Sequence, residues 1–178
     1  MLLAYRLPRE PSRPRLSVWR TLERIGAARL GDGLVALPAD ARTREQFDWL
    51  AEEITEAGGV AGIWLSYPAT LAQEEAIAAE MRAARAAEYE AVTNEATAAM
   101  WVGRPERARA LRRLREQLRR INRRDFFPPP QRDSARAAVQ ALAELNQQQS
   151  QPGPPDQLGH HRGDTLRAGA QVRDGGDR

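Results

Sequence analysis

The sequence contains no cysteine and no lysine, and it has only two histidines, His160 and His161, near its end. Without cysteine the chain has no disulfide bond, no thiolate nucleophile and no cysteine-ligated zinc site. Its longest uncharged stretch, residues 57–73, is interrupted by three glycines and one proline. Such a stretch does not cross a bilayer as a helix, so we expect no membrane segment. No signal-peptide pattern is present, which predicts a cytoplasmic protein.

Residue types that carry catalysis are scarce in the part of the chain that is patterned for folding. Both histidines lie in a polar C-terminal stretch, so a Ser-His-Asp triad would have no base. Asp32 lies between two glycines, a position typical of a tight turn. The glutamate pairs at 52–53 and 74–75 point to different sides of a helix and make a poor acid–base pair. We expect a protein that is not an enzyme and that has no metal site and no cofactor.

Residues 1–70 show the order strand, helix, strand, strand, helix, strand. Ser12 and Thr43 are predicted to cap the two helices, and Trp19 and Trp64 are assigned to the core. This order is typical of the ferredoxin-like βαββαβ fold, in which both helices cover one face of an antiparallel sheet. The predicted class is therefore α+β. The strands are predicted from short apolar runs at 2–7, 28–30, 34–37 and 60–65.

From residue 71 the spacing of apolar residues becomes helical. A long alanine-rich helix is predicted to about residue 100, and a second from Pro105 to Arg124, because Gly103 breaks the first. Within the second helix an apolar seam repeats at 3-4-3 spacing, which favours packing on a neighbour. The seam consists of Leu111, Leu114, Leu118 and Ile121.

The remaining chain is predicted to hold one short helix, at 135–145, and then a polar stretch. Residues 146–178 contain too few large aliphatic side chains to offset the entropy lost on ordering, so we predict a disordered tail. The expected organisation is a ferredoxin-like domain at 1–70, a helical hairpin extension at 71–145 and the tail.

Charge is strongly segregated along the chain, although the formal net charge is only +3. Residues 71–102 carry two arginines and six glutamates, whereas residues 103–124 carry ten arginines and two glutamates. Guanidinium groups stay charged and match phosphate oxygens in shape, so a helix with this composition could bind a nucleic-acid backbone by counterion release. Our candidates for contact with nucleic acid or an oxyanion are Arg112, Arg113, Arg119, Arg120, Arg123 and Arg124.

The acidic helix that precedes these arginines offers a competing interpretation. In an antiparallel hairpin the glutamates of the first helix could pair with the arginines of the second and leave only a solvated surface. Exposed ion pairs contribute only about 0–1 kcal/mol each, so pairing would not reliably neutralise the basic segment. Both interpretations stay open at this point. The glutamates concerned are Glu80, Glu88, Glu90 and Glu95.

Several motifs, in this order, resemble the N-terminal domain of the chromate resistance protein ChrB. They are Leu7-Pro-Arg-Glu-Pro-Ser-Arg-Pro14, Val18-Trp19-Arg20, Leu30-Gly-Asp-Gly-Leu-Val-Ala-Leu-Pro38, Thr43-Arg-Glu-Gln46 with Trp49, and Arg123-Arg-Asp-Phe-Phe-Pro128. The resemblance runs to about residue 145. It implies a regulator that controls expression of a chromate efflux transporter. Family members usually continue into a second, C-terminal domain, and here the predicted tail stands in its place.

Three hypotheses of different classes follow. The first is a DNA-binding transcriptional regulator of chromate resistance, with chromate, a tetrahedral dianion, as a second ligand of the same arginines. The second is a structural or interaction module that uses the Leu111–Ile121 seam to form a homodimer or to dock a separate chromate-sensing domain. The third is a Mg²⁺-dependent nuclease that would rely on Glu10 or Asp32.

Overall fold

The computed structural model describes residues 1–148, which form a four-stranded antiparallel sheet and five helices. The predicted α+β class is confirmed. The predicted tail lies outside the described residues, except that 146–148 continue the last helix. In chain order the elements are β1 (Leu2–Arg6), α1 (Ser12–Ile25), β2 (Ala28–Gly31), β3 (Leu34–Ala36), α2 (Ala41–Glu56), β4 (Val60–Trp64), α3 (Leu71–Ala99), α4 (Arg104–Arg123) and α5 (Gln131–Gln148).

The sheet has the strand order β2-β3-β1-β4, with β1 antiparallel to both of its neighbours. Leu3 at the centre of β1 lies opposite Val35 of β3 and Ile63 of β4. It is fully buried in one core with the apolar residues of α1 and α2, such as Leu22 and Phe47. Both helices therefore cover the face of the sheet to which Leu3 points.

Two predicted helix caps are wrong by a few residues. Ser12 is the first residue of α1, and the preceding Pro11 provides no side-chain cap. Thr43 lies inside α2, where its backbone N–H donates to Asp40 Oδ1 at 2.7 Å and its hydroxyl accepts from the Asp40 backbone N–H at 3.1 Å. Asp40 is therefore the N-cap, because a capping side chain must reach a backbone N–H two or three residues further on.

Trp19 and Trp64 do not belong to the core, contrary to the prediction. Trp19 is 46% exposed, because the buried face of α1 is formed by Val18 and Leu22 beside it. Trp64 is 63% exposed, because it ends the edge strand β4 on the face of the sheet away from the two helices. Aromatic character alone did not indicate which side of each element is covered.

Helices α3, α4 and α5 form a second core. Leu111, Leu114 and Ile121 of α4 are buried there, among apolar residues of α3 and α5 such as Tyr89 and Leu142. The seam predicted from 3-4-3 spacing does pack on a neighbour, and the neighbours are helices of the same chain. It is therefore not available for a homodimer or a sensor domain. No helix in residues 1–148 combines the length and apolar content that a membrane span requires.

Candidate nucleic-acid interface

Helix α4 carries its buried apolar residues on one side and most of its arginines on the other; Arg107, which donates to the carbonyl oxygens of Met100 and Val102, is buried. Gly103 precedes the helix, and Pro105 occupies its first turn, where the missing N–H is tolerated. At about 3.6 residues per turn, the buried residues around Leu114 fall on one side. The exposed arginines on the other side are named here the α4 basic face: Arg109, Arg112, Arg113, Arg119, Arg120 and Arg123.

Four arginines of this face, Arg109, Arg112, Arg120 and Arg123, form no salt bridge with any residue of the described 1–148. The other two are paired at the surface. Arg113 pairs with Glu95 of α3, and Arg119 pairs with Glu116 within α4. The side chains of Arg113 and Arg119 remain 59% and 62% exposed, so these pairs cost little to exchange for another anion.

Glu116 lies among these arginines and responds to them. The hydrogen bond from Arg119, together with the charges of Arg119, Arg120 and Arg123, lowers the pKa of the Glu116 carboxyl group. Glu116 is the single acid among the six arginines of the α4 basic face. Glu116 therefore stays ionised and offsets one of the six positive charges of the face.

The sixth candidate from the sequence, Arg124, has a different environment. Its Nη2 donates to Glu88 Oε2 at 2.5 Å, and its Nη1 donates to the carbonyl oxygen of Glu23 at 2.8 Å. Its side chain is only 22% exposed. Arg124 thus ties the end of α4 to α3 and to the last turn of α1, and it is not part of the α4 basic face.

Pairing with the acidic helix is therefore partial. Of the glutamates that a hairpin could supply, Glu95 pairs with Arg113 and Glu88 with Arg124. Glu90 instead accepts a hydrogen bond from Gln131 at the start of α5. The competing interpretation, in which the α3 glutamates neutralise the arginines, accounts for two contacts and leaves four exposed guanidinium groups.

Buried charges lie behind Arg124, at the junction of the two cores. Glu88 also pairs with Arg85 of α3 at 2.8 Å. Next to this pair, Tyr89 Oη donates to Asp125 Oδ2 at 2.9 Å. Burial, followed by the hydrogen bond to Asp125, raises the pKa of Tyr89 to about 12. These groups hold the helices in place and are not positioned to meet a ligand.

A cleft of about 1310 Å³ lies between α1, α2 and the end of α4. Arg120 and Arg123 line it from α4, whereas Glu52, Glu56 and the exposed Trp49 line it from α2. Charges of both signs line every side of the cleft, since Arg42 lies on the α2 side and Glu116 on the α4 side. The cleft therefore does not favour a polyanion.

The structure offers no metal centre in its described part. Within residues 1–148 no group of three or more histidine, aspartate or glutamate side chains could hold a metal ion. His160 and His161 lie outside those residues.

One member of the α4 basic face was not among the sequence candidates. Arg109 lies on the same side of α4 as Arg112, Arg113 and Arg120. Arg109 precedes these three arginines by three, four and eleven positions, which is the spacing of residues on one face of a helix, so the sequence alone could have identified it. Its position extends the face toward the start of the helix.

Residues 15–99 match the family model described as "Protein ChrB, N-terminal". The match runs from α1 to the end of α3, just under half of the chain, and it confirms the resemblance inferred from the motifs over those residues. Helix α4 and its basic face follow the matched residues. No curated protein and no solved structure gives a significant match.

Proposed function

We propose, from the ChrB N-terminal domain at residues 15–99, that this chain is a DNA-binding regulator of chromate resistance that controls expression of a chromate efflux transporter. In this proposal the protein is not an enzyme and uses no cofactor. DNA is its partner, and a role on DNA implies a cytoplasmic location. The observation that carries the DNA contact is the α4 basic face, with four exposed arginines that have no salt bridge within residues 1–148.

The proposal includes the ferredoxin-like plan for residues 1–70. The element order β1-α1-β2-β3-α2-β4 and the strand order β2-β3-β1-β4 support it. The shared core of α1 and α2 on one face of the sheet supports it as well. In this proposal residues 1–70 support the three helices α3, α4 and α5, and α4 is the helix that contacts DNA.

The spacing of the arginines suits the backbone of a duplex. At about 1.5 Å rise per residue, the face from Arg109 to Arg123 is about 21 Å long. Each guanidinium that replaces a condensed counterion contributes affinity that falls with salt. Phosphate contacts carry little sequence information, so α4 would position the protein on DNA rather than select an operator.

The test is fluorescence anisotropy of the full chain with two labelled duplexes, the region upstream of its own gene and an unrelated sequence of equal length. Six phosphate contacts predict a slope of log affinity against log salt of about −5 on both duplexes. Absence of binding, or binding that salt does not weaken, would contradict the DNA contact.

A charge-matched pair of variants locates the contact. The triple variant Arg112→Gln, Arg120→Gln, Arg123→Gln should flatten the salt slope by about three. The control Arg13→Gln, Arg15→Gln, Arg20→Gln removes the same charge from exposed positions of α1 and should keep most of the slope. Equal losses in both would show that net charge, and not α4, governs binding.

Chromate is the second ligand to test on the same arginines. They lie on an open helix surface, where a small dianion is held no better than other ions of equal charge. We therefore expect chromate to weaken DNA binding only as much as sulfate at the same ionic strength. A larger effect of chromate would assign a specific site to this chain.

A further inference from the structure

Strand β4 forms an edge of the sheet that lacks the usual protection. Its outer side faces no other strand among the described residues, because the order β2-β3-β1-β4 ends there. Natural edge strands are normally guarded by charges, prolines or bulges that discourage pairing with another chain. The opposite edge, β2, has both Arg29 and a register shift between Arg29 and Gly31. Strand β4, Val60–Trp64, has no charge, no proline and a regular register.

Large exposed apolar side chains lie on this strand and on the segment that follows it. They belong to the uncharged stretch 57–73, in a chain of which 29% of the residues are charged. Clusters of exposed apolar residues mark interaction surfaces. We name them the β4 patch: Val60 (65% exposed), Trp64 (63%), Leu65 (70%), Tyr67 (82%) and Leu71 (79%).

We propose that the β4 patch joins two copies of this chain through antiparallel pairing of β4 with β4 of the partner subunit. Homodimers are most often two-fold symmetric, and a two-fold axis through Gly62 pairs all five residues of the strand. This register sets Val60 opposite Trp64 of the partner subunit on the same face of the sheet, because residues directly opposite in antiparallel strands share a face. The dimer would contain one continuous eight-stranded sheet.

Local geometry at Gly62 fits its place on the axis. Gly62 and Trp64 point to the same face of the sheet, and a Cβ at Gly62 would lie 3.2 Å from Trp64 Nε1. The indole ring therefore lies close to the glycine and extends the apolar surface beside the axis.

Area and charge favour a second copy as the occupant. Two copies of a patch without charge do not repel each other, whereas the basic and acidic helices elsewhere on the chain would oppose self-contact of like surfaces. Five large side chains, each mostly exposed, supply several hundred Å² per partner, approaching the about 800 Å² of a standard interface. The other surface considered for dimerisation, the Leu111–Ile121 seam, is already buried within the chain. The inference does not depend on DNA binding.

Sedimentation equilibrium of the full chain tests the proposal. We expect a dimer whose dissociation constant rises at least about tenfold in Val60→Lys and in Trp64→Lys, since both would place ammonium groups in the interface. Trp101→Lys is the matched control, because Trp101 is 87% exposed and lies outside the patch. Circular dichroism checks that each variant is folded. A monomeric chain, or a dimer that is equally stable in all variants, overturns the proposal.

The absence of cysteine permits a direct check of the register. Gly62→Cys places one thiol on the proposed axis, where two copies would form an intermolecular disulfide under mild oxidation. Gly31→Cys on the opposite edge is the control, because an added Cβ there meets no atom within 4 Å. We expect a covalent dimer from Gly62→Cys only. Equal cross-linking of both variants would contradict pairing through β4.

Discussion

Arg124, which follows α4, binds Glu88 of α3 at 2.5 Å, whereas Arg123 beside it forms no salt bridge within residues 1–148. Two adjacent arginines of one basic segment therefore have different roles. Arg124 also donates to the Glu23 carbonyl in the last turn of α1, where a cation is favoured by the helix dipole. Arg123 extends from the α4 basic face.

This difference predicts opposite outcomes for two single substitutions. Arg124→Gln should lower the free energy of unfolding by about 1–3 kcal/mol, because it removes charged hydrogen bonds at a mostly buried position. Arg123→Gln should leave stability within about 0.5 kcal/mol and reduce the salt slope of DNA binding by about one. Denaturant unfolding and anisotropy titration measure the two effects. Equal stability losses in both variants would refute the assignment.

A second prediction concerns the hydrogen bond between Tyr89 and Asp125. The Asp125 side chain is 1% exposed, and its Oδ1 has no hydrogen-bond partner within residues 1–148. Its Oδ2 accepts its hydrogen bond from the phenol of Tyr89, and Arg132 Nε lies 4.0 Å away. Tyr89→Phe should therefore destabilise the fold by about 1–3 kcal/mol, as is usual when a buried acceptor loses its donor. Urea unfolding at neutral pH measures the loss. Tyr67→Phe is the control, since Tyr67 is 82% exposed.

The raised pKa of Tyr89 predicts that the free energy of unfolding falls at alkaline pH. The pKa of Tyr89 is about 12 in the folded protein and 10 in the unfolded chain. Between these values the unfolded state binds fewer protons, so the free energy of unfolding falls as pH rises from about 10 toward 12. Tyr89→Phe should flatten this fall. Tyr5, whose pKa burial also raises, contributes equally in both proteins. Identical pH profiles would exclude this role for Tyr89.

A fourth prediction tests the packing of the α4 seam inside the chain. Leu114 is fully buried between α3 and α5, so Leu114→Ala should cost about 2–5 kcal/mol of stability. The oligomeric state of the folded protein should not change, because the seam does not face another subunit. Leu16→Ala, at a position that is 47% exposed, provides a control with a small effect. Loss of a dimer in folded Leu114→Ala would contradict this arrangement.

A fifth prediction concerns the turn between β2 and β3. Gly33 has a φ of 70°, and a Cβ there would lie 2.2 Å from the carbonyl oxygen of Tyr5. Gly33→Ala should destabilise the protein by more than about 1 kcal/mol, because it combines left-handed strain with a backbone clash. Gly31→Ala, two residues earlier, meets open space and should be nearly neutral. Thermal unfolding of the two variants would show a large difference in midpoint, and similar midpoints would refute the prediction.

Local sequence patterns predicted the helices and strands well, but they did not predict which residues cap the helices. The spacing of Leu16, Trp19, Leu22 and Ile25, with Gly26 after them, was sufficient to indicate α1, although its buried face contains Val18 in place of Leu16 and Trp19. The spacing did not indicate its cap, because the N-cap position is occupied by Pro11, which provides no side-chain hydrogen bond, and not by Ser12. The exposed positions of Trp19 and Trp64 depend on which side of each element another element covers, and local spacing does not contain that information.

The candidate site was predicted in part, and the errors have one cause. Composition located the basic segment, and helical spacing separates the α4 basic face from the seam. The interior role of Arg124 was not visible, because its partner Glu88 is 36 residues away in the chain. The pairing of Arg113 with Glu95, 18 residues apart, depends in the same way on how α3 and α4 pack.

The α+β class, the segregation of charge and the ChrB resemblance could be predicted without coordinates, since each depends on local periodicity, composition or short motifs. The packing of the elements sets which arginines stay exposed, where the α4 seam packs, and that β4 is an unprotected edge with exposed apolar residues nearby. These properties arise from contacts between elements far apart in the chain. Burial and ion pairing are set by the partner that folding brings close, and no single segment specifies its partner.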